Sequence, residues 1–416
     1  MKKFFKLLTL SLFIILSLIF SYSAYIYYSL PDEYKITENC GMKLENYKFI
    51  RAQTEENQKS MALYDINQNN KNKYFMNIKL LNLIPIKTVN VEYTKEQKVY
   101  PCGVPFGVKI FTEGVLIVGI SDIKTENGIT SPAKAAGLKK GDIILSINNR
   151  QIKDNEELLK VVEESSGKVL DCDVVRNGEN FKAKIQPLKS KSDNTYRIGL
   201  WVRDSSAGIG TLTFYDEKSL AFAGLGHGIC DVDTGEILSL SHGDVVKANI
   251  SGIVKGTKGM PGELKGYFIE PNSIGTLYKN TECGIYGLLN EKFIGHKLAV
   301  VAMKQQVKLG KAYILTTTSG TSPQMYDIEI QNINYNEKMK SKNMIIKITD
   351  DRLLSQTGGI IQGMSGSPII QNDMLVGAIT HVFVNDPQKG YAIFAENMLE
   401  HLNDLNFSNT SLEKSS

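Results

Sequence analysis

The sequence predicts a mainly β protein of several domains behind one N-terminal membrane helix, and three observations carry that prediction. Lys2, Lys3 and Lys6 precede an uncharged, largely apolar run from Leu7 to Leu30, longer than the roughly 20 residues that a helix needs to cross the hydrocarbon core. Beyond about residue 190 come short β-branched runs such as IGTLTF, KANISGIV, KLAVVAM and KAYILTTT, split by glycines and polar turns, with helical periodicity only in AENMLEHLNDL. The length of 416 residues exceeds what one hydrophobic core organises.

Composition narrows the function. A net charge of +4 on 22% charged residues is too dilute to indicate nucleic acid, and no basic block interleaves with aromatics. Cys40, Cys102, Cys172, Cys230 and Cys283 are scattered, odd in number and form no C-x-x-C pair, which argues against a zinc site and a dense disulfide framework.

In chain order, residues 1–6 form a cytoplasmic stub and 7–30 a signal anchor. Tyr22, Tyr25, Tyr27 and Tyr28 form an interfacial belt, while Ser21, Ser23 and Ala24 keep a cleavable signal peptide as the competing reading. Both readings export the chain, and the N-terminal lysines leave everything after about Leu30 outside the cytosol. Residues 31–100 read as a spacer, with QTEENQKSMALYDINQNNKNKYF as a linker and MNIKLLNLIPIKTVNVEYTK as one or two strands.

The next segment carries more information. GVKIFTEGVLIVGISDI gives two β-branched runs split at Thr112, Glu113 and Gly114, a hairpin signal. SPAKAAGLKKGDIILSIN starts a helix at Ser131 and Pro132, ends it before Gly137 and leads into a strand; NEELLKVVEE has helical spacing, and DCDVVRNGENFKAKIQP is a strand pair turning at Asn177 and Gly178. This pattern resembles a PDZ domain over residues 101–190. The resemblance implies that an extended peptide adds to a sheet edge while backbone N–H groups receive its terminal carboxylate. It puts that loop in CGVPFG, with Gly103, Phe106, Gly107 and Val108 as peptide-binding residues. A domain that only positions the catalytic part is the alternative.

GMSGSPII supplies the candidate nucleophile. Gly363 and Gly366 let the backbone fold tightly around Ser365, and the amides of Gly363 and Ser365 are placed to form an oxyanion hole. Ser367, followed by Pro368 and a strand, is expected to point into packing. A serine hydroxyl needs a base within hydrogen-bond reach. Of His227, His242, His296, His381 and His401, His227 fits best, at the end of an apolar strand between Gly226 and Gly228; His242 is second, and His296 and His381 lie in strand-like runs.

GHGICDVDTGE together with GGIIQGMSGSPIIQNDMLVGAITHVF, behind a PDZ-like segment and a membrane helix, resembles the stage IV sporulation protein B family, PDZ-containing serine peptidases of endospore-forming Firmicutes. The resemblance implies a trypsin-like double β-barrel over residues 191–406, before a polar tail at 407–416, working without metal or cofactor. It implies Asp350 in TDDR as the residue that orients His227; Asp231, Asp233, Asp244 or a Ser–His pair held by backbone contacts are the alternatives. In such a fold GAITHVF would pair the substrate backbone, with Thr380 and Val382 near the specificity pocket. The family further implies a self-cleaving signalling protease at the forespore membrane, facing the space between two membranes. Its implied partners are a regulatory membrane protein, whose cleavage triggers sigma-factor processing, and its own N-terminal region, both engaged through PDZ. A quality-control protease would usually carry its PDZ domain after the catalytic module. A non-catalytic PDZ adaptor with a degenerate protease fold has no reason to keep His227 and the G-x-S-G turn together.

Overall fold

The computed structural model describes residues 2–42, 44, 47, 49–54, 73–293, 297–336 and 338–405. Lys2–Ser29 forms one helix, long and apolar enough to cross a membrane, with Phe4, Leu7, Phe13, Leu16 and Phe20 exposed. At its C-terminal end Ile26, and Leu30 just beyond the helix, are buried and pack on a four-stranded sheet of Glu33–Ile36, Ile84–Tyr93, Lys73–Leu80 and Ile50–Thr54, in that order. Alternation of buried Met76 and Ile78 along one strand, and of Val89 and Val91 along the next, gives this sheet its apolar face. Most of the expected linker, 55–72, and the expected polar tail, 407–416, lie outside the described residues.

Two six-stranded antiparallel barrels follow. In the first, His242–Val254 pairs Pro105–Ile120, which pairs Leu200–Tyr215, then Ala221–Gly224, Gly284–Leu289 and Glu263–Thr281, and the last strand closes on the first. Phe106, Val108, Ile110, Leu212, Phe222, Val245 and Leu277 fill it. In the second, Gly310–Thr316 pairs Gln324–Ile333, then Met344–Ile348, Asp386–Phe394, Met374–Phe383 and Pro368–Gln371, which returns to Gly310–Thr316. Closure leaves neither barrel with a free edge. A further cluster, including Phe214, Tyr286, Ile370 and Ile393, joins them under the terminal helix Ala395–Asn403, which buries Met398, Leu399 and Leu402.

The PDZ-like part is an insertion between Pro105–Ile120 and Leu200–Tyr215 of barrel 1, not a domain preceding the peptidase part. Pro105–Ile120 is one continuous strand, so the hairpin expected at Thr112–Gly114 does not form. At Gly114 (φ +79°) a Cβ would lie 2.4 Å from the Ile144 carbonyl oxygen. Before this residue the strand pairs with His242–Val254; after it, Val115 and Leu116 pair with Ile144 and Ile143. The returning strand Leu200–Tyr215 follows it throughout, from Leu200 opposite Ile120 to Thr211 opposite Pro105. The expected boundary of 101–190 therefore moves to 112–204, and Pro105–Phe111 belongs to barrel 1.

Within the insertion the expected local signals are in place. Pro132 opens the short helix Pro132–Ala135 and Gly137 (φ +74°) follows it. Asp154 caps Asn155–Glu164 by accepting the Glu157 amide at 2.8 Å. Asn177 (φ +52°) and Gly178 (φ +80°) turn Leu170–Arg176 into Glu179–Ile185. Asp142 is fully buried and answered by Arg176 at 2.6 and 2.7 Å.

The insertion geometry predicts two outcomes for truncation. Phe111 and Ser205 are direct cross-strand partners, so joining them through an Asn-Gly turn should leave a protein that unfolds cooperatively by circular dichroism. Deleting 101–190 removes a barrel strand and should give no cooperative transition; the reverse pattern would contradict the insertion.

Candidate active site

The turn that carries Ser365 is shaped from both barrels. Gly363 and Gly366 both sit at φ +94°, and a Cβ on Gly366 would lie 2.1 Å from the Thr211 carbonyl oxygen and 2.6 Å from the Leu225 nitrogen. Only glycine permits that approach. Thr211 of barrel 1 grips the turn, its amide donating to the Ser365 carbonyl (3.1 Å) and its hydroxyl to the Gly363 carbonyl (2.8 Å). The Gly363 and Ser365 amides have no acceptor among the described residues. Met364 between them is fully buried in the barrel 2 core. Ser367 is also fully buried, its hydroxyl within 2.9 Å of the Thr316 hydroxyl and 2.7 Å of the Met364 carbonyl, so it serves packing. The Ser365 hydroxyl is half-buried and donates to the Thr380 carbonyl at 2.8 Å.

His227 follows Ala221–Gly224 after a turn with Leu225 at φ +65° and Gly226 at φ +70°. Its Nδ1 lies 2.8 Å from the Gly228 carbonyl. A carbonyl only accepts, so Nδ1 carries the proton and Nε2 is left as the basic nitrogen. Burial holds the imidazole below its ordinary pKa, against the opposing effect of the Gly228 bond. His381 joins the site unexpectedly: its ring centroid is 5.0 Å from that of His227, and burial, His227 and Lys342 push its pKa down to about 4. His227, His381, Gly363 and Ser365 line one cleft of about 790 Å³ between the barrels. His242 instead stacks on Phe111, with ring centroids 4.3 Å apart; His401 stays in the terminal helix, and His296 lies outside the described residues.

The carboxylate expected to orient His227 is engaged elsewhere. Asp350 caps the short helix Asp351–Thr357, with Oδ1 accepting the Arg352 amide (2.9 Å) and Nε (3.1 Å), and Oδ2 accepting Arg352 Nη2 (2.7 Å) and the Asp327 amide (3.3 Å). The Arg352 bonds hold its carboxyl down at about 2. Asp231 shapes the loop after His227 rather than the ring, accepting the Asp233 and Thr234 amides (2.9 and 2.8 Å) and the Arg203 guanidinium, which also reaches Asp233 at 2.9 Å. The Gly228 carbonyl occupies the orienting position.

Gly103, Phe106, Gly107 and Val108 do not form a carboxylate-binding loop. Phe106 is fully buried against Phe222, Val108 lies in the same core, and a Cβ on Gly107 would meet Phe268 at 2.5 Å. Gly103 packs on Leu315 of barrel 2 and accepts from the Thr317 hydroxyl at 3.0 Å. A strand paired on both sides has no edge for a peptide. The open edge of the insertion is Leu200–Arg203, which pairs only with Leu116–Ile120 among the described residues. The helix Asn155–Glu164 stands along it, tied at one end by the Asn155 amide to Asp204 (2.9 Å) and at the other by Glu163 to the Tyr196 amide (2.9 Å). Of the expected pocket residues, Thr380 touches Ser365 through its carbonyl, while its hydroxyl donates to Ser341 at 2.9 Å; Val382 packs partly on the barrel 2 core.

Residues 194–399 match the family model described as SpoIVB peptidase S55, and residues 117–186 match that of the PDZ domain. A curated relative, the probable protease eep of Enterococcus faecalis (strain ATCC 700802 / V583), is 36% identical over 93 residues, 21% of this chain; the chain spans about a fifth (20%) of that relative. Among solved structures, the PDZ domain of the SdrC-like protein from Listeria monocytogenes is similar over 22% of this chain and 87% of its own, at 21% identity and a TM-score of 0.18. The Rv3671c protease in its inactive form is similar over 48% and 84%, at 13% identity and a TM-score of 0.27. Residues 194–399 thus carry a peptidase domain of the SpoIVB peptidase S55 family, and residues 117–186 a PDZ domain.

Proposed function

We propose that Ser365 is the nucleophile and His227 its base, in a membrane-anchored endopeptidase of sporulation signalling. The observation that carries this reading is the shared cleft: a glycine-framed hydroxyl, two amides without acceptors and an imidazole with its Nδ1–H fixed on a carbonyl. The Ser365 hydroxyl rotates from the Thr380 carbonyl toward His227 Nε2, which takes its proton as Oγ attacks the scissile carbonyl. The oxyanion settles on the Gly363 and Ser365 amides. His227 returns the proton to the leaving amine, and water then releases the acyl group by the same route. The Gly228 carbonyl fixes the tautomer, the orienting task that a carboxylate performs in a Ser–His–Asp triad.

The biological setting rests on the family resemblance and the N-terminal helix. Lys2, Lys3 and Lys6 orient that helix with the barrels outside the cytosol. Self-cleavage falls between the helix and barrel 1, releasing the peptidase, and a regulatory membrane protein is the second substrate. A peptide segment from either adds as a strand to Leu200–Arg203 beside the Asn155–Glu164 helix. Arg203, at the end of that edge, links the insertion to the loop after His227.

Four measurements test the catalytic reading. A fluorophosphonate should label wild type and fail to label Ser365→Ala; equal labelling of both would remove Ser365 from the reaction. His227→Ala should slow phosphonylation by at least about 10²-fold, whereas His381→Ala should slow it by less than about tenfold, and the opposite order would make His381 the base. Because burial disfavours the imidazolium of His227, the neutral base persists below the ordinary histidine value of about 6.5. The acid limb of the phosphonylation rate should therefore have its midpoint below that value, and a midpoint above it would contradict the assignment. Asp350→Ala should lower stability by about 1–2 kcal/mol through the lost helix cap, with phosphonylation within threefold of wild type; a loss comparable to His227→Ala would restore Asp350 to the site.

A further inference from the structure

Resting on the peptidase reading above, we propose that the cleft selects polypeptide segments carrying acidic side chains beside the scissile bond, and that Lys338, Lys340 and Lys342 read them. The three lysines belong to the connection between Gln324–Ile333 and Met344–Ile348, and all three line the cleft that holds Ser365 and His227. Glu282, from barrel 1, is the one carboxylate among the described lining residues. None of the three lysines is ion-paired among the described residues, although exposed lysines elsewhere in the chain find partners; Glu337 in the same connection lies outside them. Lys342 stands 5.3 Å over the Tyr391 ring, and its charge bears on His381; that of Lys340 bears on Cys283 and His401. With three lysines against one carboxylate, the described lining of the cleft is net positive.

The connection is held against the reacting centre by bonds that do not involve the ammonium groups. The Thr380 hydroxyl donates to the Ser341 carbonyl at 2.9 Å, and the carbonyl of that same threonine receives the Ser365 hydroxyl. Asn397 Nδ2 donates to the Lys340 carbonyl at 3.1 Å, and Asn343 Nδ2 to the Met339 carbonyl at 3.2 Å. A cationic wall fixed in this way beside a partly desolvated cleft favours anionic segments on encounter and in the bound state, and salt screens the effect. Because the lysine side chains do not hold the loop, they can be replaced without removing its supports.

The test is a cleavage profile on a proteome-derived peptide library, read by mass spectrometry, for wild type, Lys338→Gln/Lys340→Gln/Lys342→Gln and the corresponding Lys→Glu triple variant. Each protein is normalised to its own fluorophosphonate labelling of Ser365. Wild type should enrich Asp and Glu within a few positions of the cut by about threefold to tenfold. Enrichment should disappear in the Gln variant, invert toward Lys and Arg in the Glu variant, and shrink between 0.05 and 0.5 M salt, roughly a threefold change in screening length. Library cleavage without acidic enrichment, enrichment unchanged in the Gln variant, or labelled wild type that cuts no library peptide would each overturn the proposal. Absence of fluorophosphonate labelling would instead sink the underlying peptidase assignment.

Discussion

The contact between Thr211 and the Gly363–Gly366 turn is the constraint on which the site depends. Barrel 1 presents an amide and a hydroxyl to two carbonyls of the turn, and barrel 2 must offer glycine at position 366, because the Thr211 carbonyl leaves no room for a Cβ. With those carbonyls engaged by barrel 1, the Gly363 and Ser365 amides remain free of intramolecular acceptors among the described residues. The Leu225 amide also donates to Thr211, at 3.3 Å, just ahead of Gly226 and His227. One threonine thus sets the Ser365 turn and the His227 turn relative to each other, and neither barrel builds the cleft alone.

The strand that carries Thr211 also explains the place of the insertion. Leu200–Tyr215 begins as the open edge of the PDZ-like sheet, passes Arg203, which grips the loop after His227, and ends in barrel 1. A tether of flexible residues would decouple the two parts. A continuous two-stranded ribbon, with register shifts near Val202 and Arg203, instead carries the orientation of one into the other. The proposed peptide capture at the edge and the proposed chemistry in the cleft thereby share one structural element.

Legibility from sequence followed the range of the interactions. Ser365 and His227 stand out because tight turns leave glycines beside them, and the Asn177–Gly178 turn and the Pro132 helix start are equally local. The insertion was hidden because Pro105–Phe111 finds its barrel partners at Ser205–Thr211 and His242–Lys247, far along the chain, while no linker marks the crossing at Gly114. Asp350 carries a local signal of a different kind: it stands immediately before a short helical run that ends at Gly358, the pattern of an N-cap. His381 looks like any strand residue until the barrels pack and bring its ring to 5.0 Å from that of His227. The lysines at 338, 340 and 342 carry no local signal, because their place beside the cleft depends on the distant residues Thr380 and Asn397 that hold the connection.

In the proposed mechanism the turn assembled by Thr211 stabilises an oxyanion formed at Ser365. A crystal structure of the phosphonylated protein measures this directly. Phosphorus should lie on Ser365 Oγ, with a phosphonyl oxygen roughly 2.7–3.1 Å from both the Gly363 and Ser365 amides and His227 Nε2 facing the vacated leaving-group side. An adduct whose phosphonyl oxygen turns away from those amides, or one formed on another residue, would contradict it.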